Sequence, residues 1–301
     1  MDHDRAPARR SFLRAVGVGA AVVGFDAGAR AWATESDSGT AGAAAPTPAL
    51  DGTLLTDPAA LAPYADDFGH LVTGRTPRAV LMPGSVADVS AMIRYCGPRG
   101  IDVAPRGQGH QTFGQAQAEA GLVIDMAPLA AIAVDPGRRT VSVQAGAVWS
   151  AVLTACLAHG LTPPVFTDYI ELSVGGTLSV GGVGGAVHHH GAQVDTVVEL
   201  EVVTGTGEVV ICSATRHADL FHAARAGLGQ VGVITRAVLT LVPARARVRK
   251  YTLTYTSVSA LAAAQRRAVR DGRFDWLEGA VGAAAGGGWQ FQLEGAVYYD
   301  T

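Results

Sequence analysis

A glycine-rich stretch between residues 173 and 191 constrains the fold of this chain more than any other feature. It runs as Ser173-Val174-Gly175-Gly176-Thr177-Leu178-Ser179, then Gly181-Gly182-Val183-Gly184-Gly185, and ends at His190-Gly191. Glycine loses more conformational freedom on folding than any other residue, so such a cluster is costly unless the backbone must approach something closely. A structural turn accounts for one glycine pair only. The cluster therefore predicts a main chain that wraps a large flat ligand and its phosphates.

A strand–helix–strand pattern leads into a second glycine motif. Residues 79–82 are an apolar strand, and Ser85 caps a helix whose apolar residues follow helical spacing. The second strand, residues 101–104, runs straight into Arg106-Gly107-Gln108-Gly109-His110. Backbone amides of such glycines can hold a pyrophosphate, with His110 at the loop tip over it. Taken alone, the motif is equally compatible with a glycine-rich turn that carries a solvated histidine.

The remaining pattern predicts a mixed α+β chain. Helices are expected at 148–159, 219–225 and 259–270, and strands at 122–126, 140–144, 231–242, 250–256, 274–283 and 289–298. Residues 197–203 and 208–212 alternate around Thr204-Gly205-Thr206-Gly207, which predicts a hairpin. The polar, basic joint at 243–249 is a plausible domain boundary.

The first 33 residues are typical of an export signal. Arg9-Arg10-Ser11-Phe12-Leu13-Arg14 precedes an apolar run from Ala15 to Phe25 and the cleavage pattern Ala31-Trp32-Ala33. The paired arginines resemble a twin-arginine signal, which predicts export of the folded protein by the twin-arginine machinery. The run is too short for a stable membrane anchor. Residues 34–60, rich in Ala, Gly, Ser, Thr and Pro, are predicted to be a flexible linker.

Charge and cysteine content exclude several classes of protein. The formal net charge is −3, so the sequence predicts no nucleic-acid partner. Cys96, Cys156 and Cys212 are widely spaced and odd in number, which gives neither a disulfide framework nor a metal motif. The run His188-His189-His190 is not expected to bind a metal ion, because consecutive side chains of an extended backbone point to opposite faces.

Five motifs in order resemble one known family. They are Arg106-Gly107-x-Gly109-His110, Thr167-Asp168-Tyr169, Val174 to Ser179, Glu199-Leu200-x-Val202-Val203-Thr204-Gly205-x-Gly207-Glu208, and Gly227-Leu228-Gly229-Gln230-x-Gly232-x-Ile234-Thr235. Together they resemble the FAD-binding domain of the vanillyl-alcohol-oxidase superfamily, and most closely that of cytokinin dehydrogenases. Each motif is weak alone, but the series covers roughly residues 64 to 300.

The resemblance implies a fold and a cofactor. It implies a PCMH-type FAD-binding domain of two α/β subdomains at 61–245, followed by a partial α+β substrate domain with an antiparallel sheet at 246–301. His110 aligns with the histidine that the family joins covalently to the 8α-methyl of FAD. The other residues that the resemblance places at the cofactor are Arg106, Gly107, Gln108, Gly109, Gln115, Thr167, Asp168, Gly175, Thr177, Ser179, Gly182, Val183 and Ile234.

The resemblance also implies a reaction, in which Asp168 aligns with the aspartate that faces the substrate amine. Oxidation of an N6-substituted adenine moves a hydride from carbon to flavin N5 while the nitrogen loses a proton, which a nearby carboxylate can accept. From the residues alone, a loop-capping role is favoured for Asp168 after Pro163-Pro164. Oxygen or a quinone would reoxidise the flavin.

Some features depart from the family pattern or leave alternatives open. Gln108 stands where family members often have a second histidine, and family proteins continue well beyond residue 301. Phe274 to Gly279 resembles an Asp-Tyr-Val-Glu-Gly segment of the family; Asp275 and Glu278 could face substrate, although solvated strand charges are favoured. The alternatives to a cytokinin dehydrogenase-like enzyme are a related covalent-FAD oxidase of alcohols or sugars and a non-catalytic binding protein or inactive fragment.

Overall fold

The chain divides into two compact units in the computed structural model, which describes residues 22–26, 31–34 and 46–301. Unit 1 comprises residues up to Pro128 together with Val203–Val209, and unit 2 comprises Leu129–Val202 and Val210–Thr301. The predicted boundary at 245/246 therefore lies inside unit 2. The physical reason is that the last strands share hydrogen bonds with the region around residue 185, which are described below.

Unit 1 is built on a four-stranded sheet. Its strands are β3 (Thr53–Leu55), β4 (Ala79–Met82), β5 (Val103–Arg106) and β6 (Leu122–Asp125), in the order β3-β4-β6-β5. Strands β4, β6 and β5 are parallel, and β3 pairs antiparallel with β4. The strands are rich in buried Val, Leu, Ile and Ala, as expected for parallel strands covered on both faces. Because parallel strands end at one edge, the loop after β5 starts at that edge.

Helices connect and cover the strands of unit 1. They are α1 (Pro58–Leu61) and α2 (Val86–Cys96), the latter linking β4 to β5. Leu61 of α1 packs in a core cluster with residues of the sheet and of the loop between β5 and β6: Val80, Ala104, Ala118 and Val123. Helix α2 continues into a short 3-10 turn that ends at Gly100, whose left-handed backbone (φ 64°) stops the helix.

A single buried carboxylate ties the start of unit 1 to α2. Asp88 in the first turn of α2 is only 3% exposed. Its two carboxylate oxygens accept hydrogen bonds from the backbone N–H groups of Asp51 (2.9 Å), Gly52 (2.8 Å) and Gly84 (2.8 Å). A negative charge in the first turn is also favourable for the helix dipole. Residues 51 and 52 are thereby fixed just before β3.

Unit 2 contains a five-stranded sheet in the order β11-β10-β12-β8-β7. Its strands are β7 (Ile132–Asp135), β8 (Thr140–Gln144), β10 (Val197–Thr204), β11 (Val209–Ser213) and β12 (Gly232–Thr240). Strand β12 pairs antiparallel with β8, and β8 with β7. A separate two-residue pair joins β9 (Leu161–Thr162) to β13 (Val242–Pro243). The helices of this part are α3 (Trp149–Leu157), α4 (Val174–Val180), α5 (Val187–His190) and α6 (Ala218–Ala224).

A three-stranded antiparallel sheet completes unit 2. Its strands are β14 (Arg247–Tyr255), β15 (Trp276–Ala283) and β16 (Trp289–Tyr299), with β16 in the centre. Helix α7 (Val258–Asp271) begins at Ser257, whose side chain accepts a hydrogen bond from the Ala260 N–H. It packs its apolar residues on the sheet in a cluster formed by Leu261, Ala268, Phe274, Leu277 and Leu293.

The mixed α/β class with antiparallel sheets is confirmed, and most predicted elements are present within two or three residues. The structure differs in three places. Strand β3 and the start of helix α1 lie within the predicted linker 34–60, where their short length hid them. The short strands β7 and β9 were not predicted, and α4 and α5 lie in the glycine-rich stretch.

The predicted signal at 1–33 falls mostly outside the described residues, apart from β1 (Val22–Asp26) and part of β2 (Ala31–Thr34), which pair antiparallel. No helix in the described ranges is long and apolar enough to cross a bilayer.

Replacing Asp88 tests whether its carboxylate holds residues 51 and 52 against α2. Asp88→Ala leaves three backbone N–H groups without their acceptor, and we expect a loss of about 3 kcal/mol in the free energy of unfolding, measured by urea denaturation. Asp88→Asn, which keeps one acceptor oxygen, should lose less. Asp57→Ala is the control, because the exposed Asp57 caps only α1 through Ala60 and its loss costs about 1 kcal/mol. Equal losses for Asp88→Ala and Asp57→Ala would contradict this role of the Asp88 carboxylate.

Candidate active site

Residues 106–110 leave the sheet of unit 1 at the carboxyl end of β5. Arg106 is the last residue of β5 and lies opposite Asp125, the last residue of β6. Its guanidinium donates to the carbonyl oxygen of Asp66 at 2.8 Å and lies 5.6 Å from the ring centre of Tyr64. The side chain therefore fastens the start of the loop to the segment that follows α1.

Tyr64 and Asp125 form a polar contact beside Arg106. The Tyr64 hydroxyl donates to Asp125 Oδ2 at 2.6 Å. Burial, followed by the neighbouring Asp125 carboxylate, raises the pKa of Tyr64 to about 12. The phenol therefore stays protonated at physiological pH and acts as a donor that holds the end of β6.

Gly109 is required by the shape of the loop. Its backbone is left-handed (φ 65°), and a Cβ there would collide with the Arg106 guanidinium. The loop can therefore turn sharply at Gly109 and leave the next residue, His110, exposed. The group that excludes a side chain at Gly109 is the protein's own Arg106 guanidinium, so the predicted approach of this glycine to a pyrophosphate stays a prediction.

The other predicted cofactor residues of unit 1 lie on the same loop or just after it. Gly107 is half-buried, Gln108 is exposed, and His110 has its imidazole stacked on the ring of Phe68. Gln115 is exposed, and its side-chain oxygen accepts a hydrogen bond from the Phe113 N–H at 3.0 Å. These residues form one accessible surface at the carboxyl end of β5.

The glycines of residues 175–185 have a different cause from the one that the sequence predicted. Most of them allow the chain to pack against itself in unit 2. A Cβ at Gly182 would collide with Gln193, one at Gly184 with the Phe166 carbonyl, and one at Gly185 with the Trp276 indole. Gly175 similarly lies against Ala145, where a Cβ would approach within 2.7 Å. The expectation that structure accounts for only one glycine pair was wrong, because four of these glycines lie where a side chain would collide with the protein's own atoms.

Burial separates the predicted cofactor residues of unit 2 into two groups. Val183 is 69% exposed, and Asp168 is exposed; Thr167 and Ser179 are half-buried. The buried group consists of Gly175, Thr177, Gly182 and Ile234. Thr177 accepts a hydrogen bond from the Trp149 indole at 2.8 Å, so its hydroxyl already serves the interior. The buried residues shape the backbone, and the exposed ones can contact a ligand through their side chains.

Asp168 has a carboxyl partner that the sequence did not identify as its partner. The side chain of Glu278, on β15, is hydrogen-bonded to Asp168. Burial first, and then this bond and the charge of Asp168, raise the pKa of Glu278 to about 7. Two neighbouring carboxyl groups cannot both ionise cheaply, so Glu278 beside Asp168 keeps its proton to higher pH than an isolated glutamate does. Glu278 is half-buried, and its contact with Asp168 was not predicted from the sequence.

Charged neighbours adjust this pair from the same sheet. Glu294 lies opposite Glu278 on β16, and its charge also raises the pKa of Glu278. The Lys250 ammonium, 2.7 Å from Glu294 Oε2, lowers it. Three strands thus contribute side chains around one protonated carboxyl group.

The histidine run fixes the start of β15. His188 and His189 lie in the single helical turn α5, and the Nε2 atoms of both are hydrogen-bonded to the Phe274 carbonyl oxygen, at 2.9 and 2.8 Å. The Leu277 N–H donates to the Gly185 carbonyl at 2.8 Å. The sequence argument against a metal ion assumed an extended backbone here, which was wrong. In the described part of the chain no group of three or more potential ligands could hold a metal ion.

The accessible residues fit a flavin dinucleotide, as judged within each unit. In unit 1, an exposed imidazole follows a sharp glycine turn, which is what a histidine needs in order to be joined to a ring. In unit 2, the exposed side chain of Val183 comes directly after Gly182, where packing leaves no room for a side chain.

Comparison with protein-family models matches residues 77–213 to an FAD binding domain. The chain is 41% identical over 251 residues to an uncharacterized oxidoreductase of the fasciation locus of Rhodococcoides fascians, an alignment that covers 83% of this chain and 57% of that protein. It is 44% identical over 264 residues to cytokinin dehydrogenase 1 of Oryza sativa subsp. japonica, covering 81% of this chain and 49% of the relative. The chain spans about half the length of the curated relatives it matches.

A solved structure shares the fold. 6-Hydroxy-D-nicotine oxidase from Arthrobacter nicotinovorans superposes with a TM-score of 0.71 at 23% sequence identity, over 84% of this chain and 57% of the oxidase. At that level of identity the likeness concerns the fold alone.

The raised pKa of Glu278 predicts a pH-dependent contribution to stability. Between pH 4.5, its ordinary pKa, and about 7, the folded chain keeps a proton that the unfolded chain releases. The stabilisation is therefore complete below pH 4.5 and is lost as the pH rises through about 7. Urea unfolding of the wild type should show this loss relative to Glu278→Gln. Glu171→Gln, at an exposed carboxylate of unit 2, is the matched control. Parallel pH profiles for wild type and Glu278→Gln would contradict the assignment.

Proposed function

Because this chain carries an FAD binding domain and is a homologue of the cytokinin dehydrogenases, we propose that it is an FAD-dependent oxidoreductase that oxidises the CH–NH bond of N6-substituted adenines. The observation that carries this proposal is the pair formed by Asp168 and Glu278 in unit 2. An amine substrate needs a group that takes a proton from nitrogen as hydride leaves the adjacent carbon, and an exposed carboxylate held by a neighbouring carboxyl group can do this.

The proposed cofactor is FAD, held covalently through His110. The accessible backbone of Gly107 and the side chains of Gln108 and Gln115 would hold it from unit 1, with Arg106 keeping the loop in place. Val183, Ser179 and Thr167 are the predicted residues of unit 2 whose exposure supports direct contact. The buried residues are proposed to act through the backbone that they shape: Gly175, Thr177, Gly182 and Ile234.

Asp168 is proposed to accept the proton of the substrate nitrogen. The carboxyl group is exposed, and its hydrogen bond with Glu278 favours one orientation of the side chain. Glu278 has a second task, because it can shift its proton as Asp168 changes charge and so limit the cost of that change. Bound FAD supplies the hydride acceptor at flavin N5, and the imine product is then hydrolysed to an aldehyde and an adenine.

Export and the electron acceptor are further parts of the proposal. The twin-arginine pattern of residues 9–14 supports export of the folded, cofactor-loaded protein to the periplasm or beyond. Either oxygen or a quinone would reoxidise the flavin. The rival functions are oxidation of an alcohol or a sugar on the same fold and a non-catalytic role in ligand binding.

Anaerobic bleaching of the flavin absorbance tests the substrate class. We expect isopentenyladenine to bleach the purified flavoprotein, and alditols to leave the absorbance unchanged. Asp168→Asn should slow bleaching about a hundredfold or more, because it removes the proton acceptor. Glu171→Gln, the corresponding amide substitution at an exposed carboxylate that accepts a hydrogen bond from the Ser150 hydroxyl, should bleach at the wild-type rate. Bleaching by alditols alone would favour the alcohol oxidase, and bleaching by neither would favour the binding protein.

Acid precipitation tests the covalent anchor. The yellow fluorescence of the flavin should remain with the precipitated polypeptide of the wild type, because a carbon–nitrogen bond to His110 survives acid. In His110→Ala the fluorescence should move entirely to the supernatant. Acid-stable flavin in His110→Ala would show that another residue is the anchor.

A further inference from the structure

Phe68 lies against the imidazole of His110 in unit 1. The two ring centres are 3.8 Å apart and the ring planes are inclined by 20°, which is a stacked arrangement. Phe68 is 60% exposed, so burial of its own apolar surface explains little of its position. Stacked aromatic pairs gain energy from the contact itself, and each ring limits the rotation of the other.

The backbone holds Phe68 in place on both sides of His110. The Phe68 N–H donates to the Gly109 carbonyl and the Gly69 N–H to the Gln111 carbonyl, each at 3.0 Å. These bonds join the segment after α1 to the residues directly before and after His110. The position of the phenyl ring is therefore set by the same loop that presents the imidazole.

A buried carboxylate reinforces this frame. Asp67 is 4% exposed, and its oxygens accept hydrogen bonds from the N–H groups of Gly69 (3.0 Å) and Gly114 (2.7 Å). Loss of a buried acceptor with two donors is costly, so the segment cannot move away from the loop easily. The backbone that carries the phenyl ring is therefore fixed, while the ring itself stays largely exposed.

We propose that Phe68 is a positioning residue that holds the His110 imidazole for attachment to FAD. This inference rests on the proposed covalent link through His110. An imidazole that is free to rotate must lose that freedom when the bond forms, whereas one stacked on a fixed ring has lost it already. Phe68 thus acts on the cofactor only through His110.

The attachment itself balances without any atom of Phe68. A bond forms between an imidazole nitrogen and the 8α carbon of the flavin. One hydrogen leaves the nitrogen and one leaves the carbon, and dioxygen takes up both, with their electrons, as hydrogen peroxide. The role of Phe68 is therefore a matter of rate and orientation, and the extent of attachment after a long incubation should change little.

The rate at which acid-stable flavin forms tests the proposal. The 301-residue chain, purified without flavin, is mixed with FAD in air, and samples are precipitated with acid over time. Phe68→Leu keeps an apolar side chain but removes the stack, and we expect about a two- to tenfold slower attachment, which corresponds to the worth of an aromatic pair. Phe68→Tyr keeps the stack and should attach FAD at the wild-type rate.

The controls separate this role from a loss of structure. Phe113→Leu makes the same change at a phenylalanine of unit 1 that is 65% exposed, and it should attach FAD like the wild type. All variants should have the wild-type midpoint of thermal unfolding. A wild-type rate in Phe68→Leu, a slow rate in Phe68→Tyr, or an equal slowing in Phe113→Leu would overturn the inference. A wild-type chain that gains no acid-stable flavin would instead overturn the proposed attachment, and the inference with it.

Discussion

The contact between Asp168 and Glu278, which keeps a proton on Glu278 to higher pH than usual, is the interaction on which the proposed chemistry depends. Glu278 can keep this proton near neutral pH only because it is partly withdrawn from water and lies close to another carboxyl group. Its strand is held by contacts that leave little freedom, since the indole of Trp276 lies against Gly185 where no side chain fits. Two histidines bonded to the Phe274 carbonyl complete the support. The packing of the glycine-rich stretch therefore also holds the strand that carries Glu278.

The loop that carries His110 in unit 1 has to meet two different requirements. It must expose a reactive imidazole and still hold it in a definite orientation. The left-handed Gly109 provides the turn, Arg106 fastens the base of the loop to the Asp66 carbonyl, and Phe68 covers one face of the imidazole. The backbone contacts fix the loop, and the turn at Gly109 exposes the His110 imidazole, so the imidazole can be both accessible and oriented.

The sequence predicts local features well and distant ones poorly. Hydrophobic periodicity placed α2 and α7 within a residue or two, and the motif around His110 was found at the end of a parallel strand as expected. The partner of Asp168 was missed because Glu278 lies far away in sequence, and only the pairing of β15 with β16 and its bond to residue 185 bring it near. The glycines at 182, 184 and 185 were ascribed to a ligand because the indole and carbonyl groups that they contact cannot be recognised from the sequence.

A direct titration of the glutamate carboxyl groups tests the central claim. Carbon-13 NMR of the chain labelled at glutamate side chains should show one carboxyl resonance that titrates near pH 7, and Glu278→Gln should remove it. In Asp168→Asn the same resonance should titrate at lower pH, because the neighbouring charge has gone. Glutamate resonances that all titrate near pH 4.5, with no change in Asp168→Asn, would contradict the proton kept on Glu278 and the mechanism built on it.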